Sequence, residues 1–312
     1  ELTELGAQQH KDIAKRMFER FPEVFSGKVH IDAKSTVVIR CILSMENELQ
    51  QFLLLNPKLD ISHDASYHDM YYMNLDDRKL SSEKMPDGVK EQYNAYRKAH
   101  VDYSRLINSL FNDSEYVKRN VSKEDFGYRL FKLASNLQSS ELRKSITLYD
   151  IFTPEELYVN WQMENVRWYI EYGACPLNGG KQPFSQRNLL RRIIEQADSC
   201  MALPNPGVTL RFGHETMVLP LTCLLGINGY DKQIEKFDDV EKEGWINYYR
   251  IFPMGANIQF IFYRRNASDK DIIVKVLLNE NEASLPVKTD CAPYYKWTEV
   301  RNFYLSKLDS YR

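Results

Sequence analysis

The chain has 312 residues, 43% of them hydrophobic, enough to bury a large core in one sizeable domain with an insertion or in two domains. Its 41 basic and 43 acidic residues leave a net charge of −2, which excludes the basic footprint of a duplex nucleic-acid binder. No apolar run is long enough to span a bilayer, and no secretory signal pattern is present.

Residues Leu2 to His10 open a helix with Thr3 as its N-cap and with Ile13, Met17 and Phe21 at helical spacing. Gly6 weakens the first turns relative to alanine, so it signals the close approach of another group. The β-branched run Ser35-Thr36-Val37-Val38-Ile39 predicts a strand that ends at Arg40. Ile42, Met45, Leu49 and Phe52 then recur at helical spacing.

Residues 56–184 read as a mostly helical insertion. Val89, Tyr93, Tyr96, His100, Tyr103, Ile107 and Leu110 recur three or four apart, and Ser122-x-x-Asp125 resembles a capping box. Thr153-Pro154-Glu155-Glu156 is a stronger start signal, which launches Leu157, Trp161 and Trp168 along one face. Aromatic residues at this spacing read as core. His63, Asp64, His68 and Asp69 lack a third spaced ligand and read as solvated loop residues, while His10, His30 and His100 form no constellation.

From about residue 185 the α/β pattern resumes. Leu189, Leu190, Ile193, Ile194 and Ala197 mark a helix, which Leu203-Pro204-Asn205-Pro206-Gly207 breaks. The segment from Gly207 to Pro220 then reads as a short strand that ends in Gly213-His214-Glu215 and passes directly into an apolar helix. An imidazole and a carboxyl group beside the free N–H groups of a helix start form a natural place to hold phosphate. The runs Tyr248 to Phe252, Gln259 to Tyr263 and Ile272 to Leu278 predict further strands of the same sheet or its edge. The alternation implies an α/β layer architecture, with residues 1–55 and 185–312 forming the core and residues 56–184 a helical cap.

Cys41, Cys175, Cys200, Cys223 and Cys291 lack the Cys-x-x-Cys spacing of a zinc or redox motif. Cys41 and Cys223 lie in apolar settings and read as core residues. An oxidising compartment would allow one disulfide, for which Cys175 and Cys200 are the candidate pair.

Taken together, three segments resemble the histidine acid phosphatases, most closely the multiple inositol polyphosphate phosphatases and their bacterial relatives. Leu2, Thr3, Gly6 and Gln9 match the Leu-Thr-x-x-Gly-x-x-Gln pattern, Arg40, Cys41 and Ser44 the Arg-Cys-x-x-Ser element, and Gly213-His214-Glu215-Thr216 the proton-donor element. In that branch the donor element reads His-Ala-Glu, whereas here Glu215 directly follows His214, in the position of Asp in the His-Asp subgroup. No Arg-His-Gly tripeptide occurs in the chain, although the family's nucleophile sits in one, upstream of the first helix.

The resemblance implies a histidine phosphatase-like α/β core with an inserted helical cap, no metal and no cofactor. It also implies an upstream segment that completes the site. The substrate it points to is an inositol polyphosphate such as phytate, or another phosphomonoester, cleaved through a phosphohistidine at acidic pH. Arg40 and His214 are its candidate phosphate ligands and Glu215 its proton donor, with Lys34 and Arg187 as further candidate substrate contacts and Arg211 unassigned. Relatives act in the periplasm or as secreted proteins. A broad-specificity acid phosphatase, or a non-catalytic phosphate-binding protein if the nucleophile is truly absent, stays open.

Overall fold

The computed structural model describes residues 1–73 and 77–311. The chain begins with α1 (Glu4–Arg20), α2 (Pro22–Phe25), β1 (His30–Ser35), α3 (Ile39–Leu55) and β2 (Asp60–Asp64). A helical region follows, with α4 (Arg78–Ser82), α5 (Asp87–His100), α6 (Ser104–Leu110), α7 (Ser114–Asn120), α8 (Lys123–Leu137) and α9 (Pro154–Tyr172). Then come α10 (Arg187–Met201), β3 (Gly207–Phe212), α11 (Glu215–Leu225), β4 (Ile258–Tyr263), β5 (Ile273–Leu278), β6 (Asn281–Ala283), β7 (Tyr294–Lys296) and α12 (Trp297–Asp309).

The strands form two sheets rather than the single one that the sequence predicts. The first is fully parallel, in the order β2-β1-β3, with Ile31 opposite Ile61 on one side and Val208 on the other. The second is antiparallel, with β5 between β4 and β6 and also paired to β7. The run at Tyr248 to Phe252 is no strand. It forms a π-helical turn over Asn247–Ile251, because the Asn165 side chain on α9 binds the backbone at Trp245 and Asn247 in place of a neighbouring strand.

Apolar periodicity accounts for the layers. Ile31 and Ala33 of β1 are buried with Ala14 of α1 and Met45, Leu49 and Phe52 of α3, so these two helices cover one face of the parallel sheet. Thr3 caps α1 as expected, its hydroxyl accepting the Gly6 N–H at 3.1 Å. A side chain at Gly6 would meet the end of the Leu2 side chain at 2.7 Å, so the close neighbour expected at this glycine is Leu2.

In the helical region a separate cluster forms around Tyr103, Leu106, Ile107, Val117 and Phe131. Both halves of the Thr153–Glu156 capping box are present, and α9 runs from this cluster, through Leu157 and Trp161, into the main core, through Trp168, Tyr169 and Ile170. The boundary expected at residue 56 falls ahead of β2, which belongs to the parallel sheet. All five cysteines are free thiols, so the Cys175–Cys200 pairing does not form; Cys175 is buried and Cys200 exposed.

Candidate active site

In the parallel sheet Ser35 stands opposite Phe212, so β1 and β3 end at the same edge, next to one another. From β1 the chain crosses to β2 on one side and later returns as β3 on the other. Such a reversal of strand order leaves a crevice beyond the carboxyl ends of the strands, where α/β proteins bind ligands.

The strand predicted over residues 35–39 lies earlier, at His30–Ser35, because His30 to Lys34 find partners on both sides and Ser35 on the β3 side, opposite Phe212. Thr36 to Val38 instead turn the chain out of the sheet, and Arg40 stands in the first turn of α3. On the neighbouring strand, His214 is the extended N-cap residue of α11, and its carbonyl accepts the Met217 and Val218 N–H groups. A side chain at Gly213 would meet the Met217 sulfur at 2.7 Å, so the methionine would have to move to admit one. Two helix N-termini thereby face one spot, each favourable to an anion.

His214 is 3% exposed and is gripped from three directions. Arg40 Nη2 lies 2.8 Å from its Nδ1, and Thr36 Oγ1 lies 3.1 Å from its Nε2. The Cys41 thiol donates to the Gly213 carbonyl at 3.1 Å and sits 3.7 Å from both ring nitrogens. A guanidinium has no acceptor, so Nδ1 must accept from Arg40, which places the single ring proton on Nε2, facing Thr36. Burial, reinforced by the Arg40 charge and opposed by Glu215, holds the imidazole pKa below its ordinary value and keeps it neutral. Burial likewise pushes the Cys41 thiol up, consistent with a neutral support rather than a nucleophile.

Arg40, His214 and Glu215 all line a cavity of about 2250 Å³, together with Leu2, Thr3, Gly6 and Gln9 of α1 and Ser44 of α3. Ser44 Oγ donates to the Arg40 carbonyl at 2.9 Å. Glu215 is exposed at the first position of α11.

Lys34 and Arg187 are not brought to the cavity. Lys34 is ion-paired with the buried Asp69 at 3.1 Å, and Arg187 with Asp77 at 2.6 Å, so each is committed to a carboxylate elsewhere. Arg211 does line the cavity, but its guanidinium binds Asp32 at 2.7 Å.

Sequence reasoning missed Thr36, the second hydrogen-bond partner of His214, because it reads as one more β-branched strand residue. It also read Cys41 as ordinary core and passed over His10, whose Nδ1 lies 2.8 Å from the carboxylate of Glu48. Glu48 is buried, which raises its pKa against the lowering effect of His10, and both residues line the cavity.

Where the helical region borders the cavity, Lys132 and Glu164 contribute charge and Tyr158, Trp161 and Tyr249 contribute rings. Tyr158 and Tyr249, which lie off the helically spaced stripe, are exposed, whereas Tyr93, Tyr103 and Trp168 of the stripe are buried, as expected of core. Among the described residues the basic side chains lining the cavity are Arg40, Lys132, Arg211 and Arg264, and the acidic ones Glu1, Glu23, Glu48, Glu164, Glu215 and Glu241. That balance departs from the dense Lys and Arg lining expected of a pocket for a highly phosphorylated ring.

The comparisons with known proteins bear on the family and the fold. The model of the histidine phosphatase superfamily, branch 2, matches residues 1–279. The fold is similar to that of the Bifidobacterium longum multiple inositol polyphosphate phosphatase in complex with inositol hexasulfate, with a TM-score of 0.80 at 16% identity over 97% of this chain and 79% of that one. The apo form of the same enzyme gives 0.63 at 15% identity over 97% and 79%. The phytase from D. castellii gives 0.65 at 14% identity over 97% of this chain and 64% of that one. No curated protein sequence matches.

Proposed function

The chain belongs to branch 2 of the histidine phosphatase superfamily, and we propose that it removes phosphate from inositol polyphosphates through a phosphohistidine, with Arg40 and His214 as phosphate ligands and Glu215 as proton donor. The observation that carries this reading is the meeting of Arg40 and His214, 2.8 Å apart at the edge where β1 and β3 end.

A planar guanidinium matches two phosphate oxygens, and in the resting state it is partnered by a neutral imidazole nitrogen rather than by a carboxylate. An arriving phosphate dianion replaces that nitrogen as the acceptor and favours the imidazolium, so His214 changes from acceptor to donor as substrate binds. In the reaction, a histidine supplied by an upstream segment attacks phosphorus. The bond from phosphorus to the leaving oxygen breaks, and Glu215 delivers a proton to that oxygen. Water then attacks the phosphohistidine with Glu215 as base, which regenerates the histidine and releases phosphate. Arg40, His214 and the two helix starts hold the charge on the equatorial oxygens throughout.

The test is Glu215→Gln. Turnover of phytate, a poor leaving group, should fall far more than turnover of an activated aryl phosphate, and equal losses remove Glu215 from the donor role.

The lining of the cavity favours a second reading, a broad-specificity acid phosphatase, because the cavity as a whole lacks the excess of cations that a densely charged ring calls for. Comparing kcat/KM for phytate with that for simple sugar phosphates separates the two. Action in the periplasm or after secretion, with residues 56–184 as a cap over the site, completes the proposal on the strength of the family resemblance alone.

A further inference from the structure

Three aromatic rings stand in a row on the cavity wall that borders the helical region. Tyr158 and Trp161, three residues apart on α9, are stacked with centroids 5.8 Å apart and planes inclined by 29°. Tyr249 continues the row, 5.9 Å from Trp161. Tyr158 is 48% exposed and Tyr249 73%, so these rings line the cavity with much of their surface uncovered. Apolar surface left open in this way marks a place of contact.

The row is held rigidly. Tyr249 sits on the π-helical turn Asn247–Ile251, a kind of turn that recurs at functional sites. The buried Asn165 of α9 donates to the Trp245 carbonyl at 2.8 Å and accepts the Asn247 N–H at 3.0 Å, and Trp168 Nε1 donates to the Tyr248 hydroxyl at 3.1 Å. At the other end the Tyr158 hydroxyl donates to Glu241 at 2.7 Å, and the Gln162 amide donates to both at 3.0 and 3.1 Å. Both bonds to Glu241 fall on Oε2, and Oε1 is left to accept from a ligand hydroxyl.

The charge around the row suits a neutral group. Lys132, the cation at this end of the cavity, is paired with Glu164 at 3.2 Å, and Glu241 adds a second carboxylate. Asn136, Gln138 and Ser139, at and just past the end of α8, bring amides and a hydroxyl to the same cavity. Burial raises the pKa of Tyr248, and the charges of Glu164 and Glu215 add to it, which puts the turn within electrostatic reach of Glu215. A substrate whose phosphate sits at Arg40 and whose leaving oxygen meets Glu215 therefore extends towards the rings.

We propose that Tyr158, Trp161 and Tyr249 form a shelf for the leaving group, and that the group it takes is a hydroxylated ring with few phosphates, a cyclitol or a hexose. The C–H face of such a ring packs on the aromatic surface, while its hydroxyls reach Glu241 and the amides beyond α8. A ring esterified at every position has no such face free and brings its further phosphates against Glu164 and Glu241. The position of the phosphate rests on the phosphatase reading of Arg40, His214 and Glu215, and the shelf on the rings themselves.

Tyr249→Ala in the complete enzyme tests the shelf, because an exposed ring can be removed without disturbing the fold. For myo-inositol monophosphate and glucose phosphate, kcat/KM should fall about five- to tenfold, chiefly through KM, while glycerol phosphate, an alkyl ester without a ring, is turned over as before. Tyr249→Phe should restore the ring substrates. A loss shared by glycerol phosphate, or no loss on either ring, overturns the proposal, and a loss on one ring alone identifies which ring the shelf takes. The unaltered enzyme should also favour the two monophosphates over phytate; the reverse preference overturns the choice of ring and leaves the polyphosphate reading standing. If no ester is hydrolysed, the phosphatase reading fails, and tryptophan fluorescence titrated with the same two monophosphates still reads the shelf. Binding weakened about five- to tenfold by Tyr249→Ala supports it, and binding that is absent or indifferent to the substitution overturns it.

Discussion

Two of the places on the cavity wall that hold buried ionisable groups handle charge in opposite ways. At the parallel-sheet edge the buried His214 is neutral and its neighbour Arg40 is exposed, the guanidinium resting on an imidazole nitrogen instead of a carboxylate. Between α8 and α9, Glu164 is 2% exposed and fully engaged: Tyr128 donates at 3.0 Å, Lys132 at 3.2 Å and Arg167 at 3.0 Å, while Arg167 also holds Glu171 at 2.8 Å. Burial pushes the Glu164 carboxyl up, yet the two cations outweigh it and hold it below the ordinary carboxylate range. A matched network of this kind ties helices together. A cation beside a neutral imidazole leaves its electrostatic interaction for an incoming anion, and on the proposed function the first place is a site and the second structure.

The largest test of that contrast is Arg40→Ala in the complete enzyme. Loss of a charged donor to the transferring phosphoryl group should lower kcat/KM by about 10³-fold, roughly 4 kcal/mol. Removing Arg40 also leaves the Nδ1 acceptor of the buried His214 unpaired, so stability in urea should fall by about 1–2 kcal/mol, well short of the loss in kcat/KM. Glu164→Gln should behave in the opposite way, costing about 3 kcal/mol of stability by leaving Lys132 without its carboxylate and Arg167 with Glu171 alone, read as a lower midpoint at constant slope. If Glu164→Gln instead left stability intact and abolished turnover, the assignment of the two places would be reversed.

Thr36→Val probes the support behind His214. It leaves the Nε2 proton unpaired in a buried pocket, at a cost of about 1–2 kcal/mol, and should weaken inorganic phosphate binding about tenfold through a disordered ring. The smallest effect is a pH dependence. The folded-state pKa of His214 is depressed, so below its ordinary value of 6.5 the unfolded chain takes up a proton that the folded chain refuses. Stability from this group is present above that pH and declines as pH falls towards the folded pKa. His214→Gln should flatten that part of the stability profile, and an unaltered profile would mean that the imidazole is not held neutral.

Much of the site was legible because its residues sit at element boundaries, where local chemistry is specific. Thr3 as a cap, Gly213 before a tight exit and His214 ahead of an apolar helix each have a short-range reason that sequence displays. Lys34 and Arg187 show where this stops: a basic residue near a predicted strand or helix end is equally suited to a ligand or to a carboxylate, and Asp69 and Asp77, distant in sequence, decided the matter. Thr36 and Cys41 were overlooked for the converse reason, since their roles depend on a ring that lies 178 and 173 residues further along the chain.

By itself the sequence determined the α/β alternation, the helical insertion, the three motif segments and hence the family, because periodicity, caps and turns act over a few residues. Tertiary structure alone decided that the strands form two sheets, that β1 ends at Ser35, and that Arg40 rests on His214. Those outcomes depend on strand pairing and on the burial of charge across long separations. Neither leaves a local pattern in the chain.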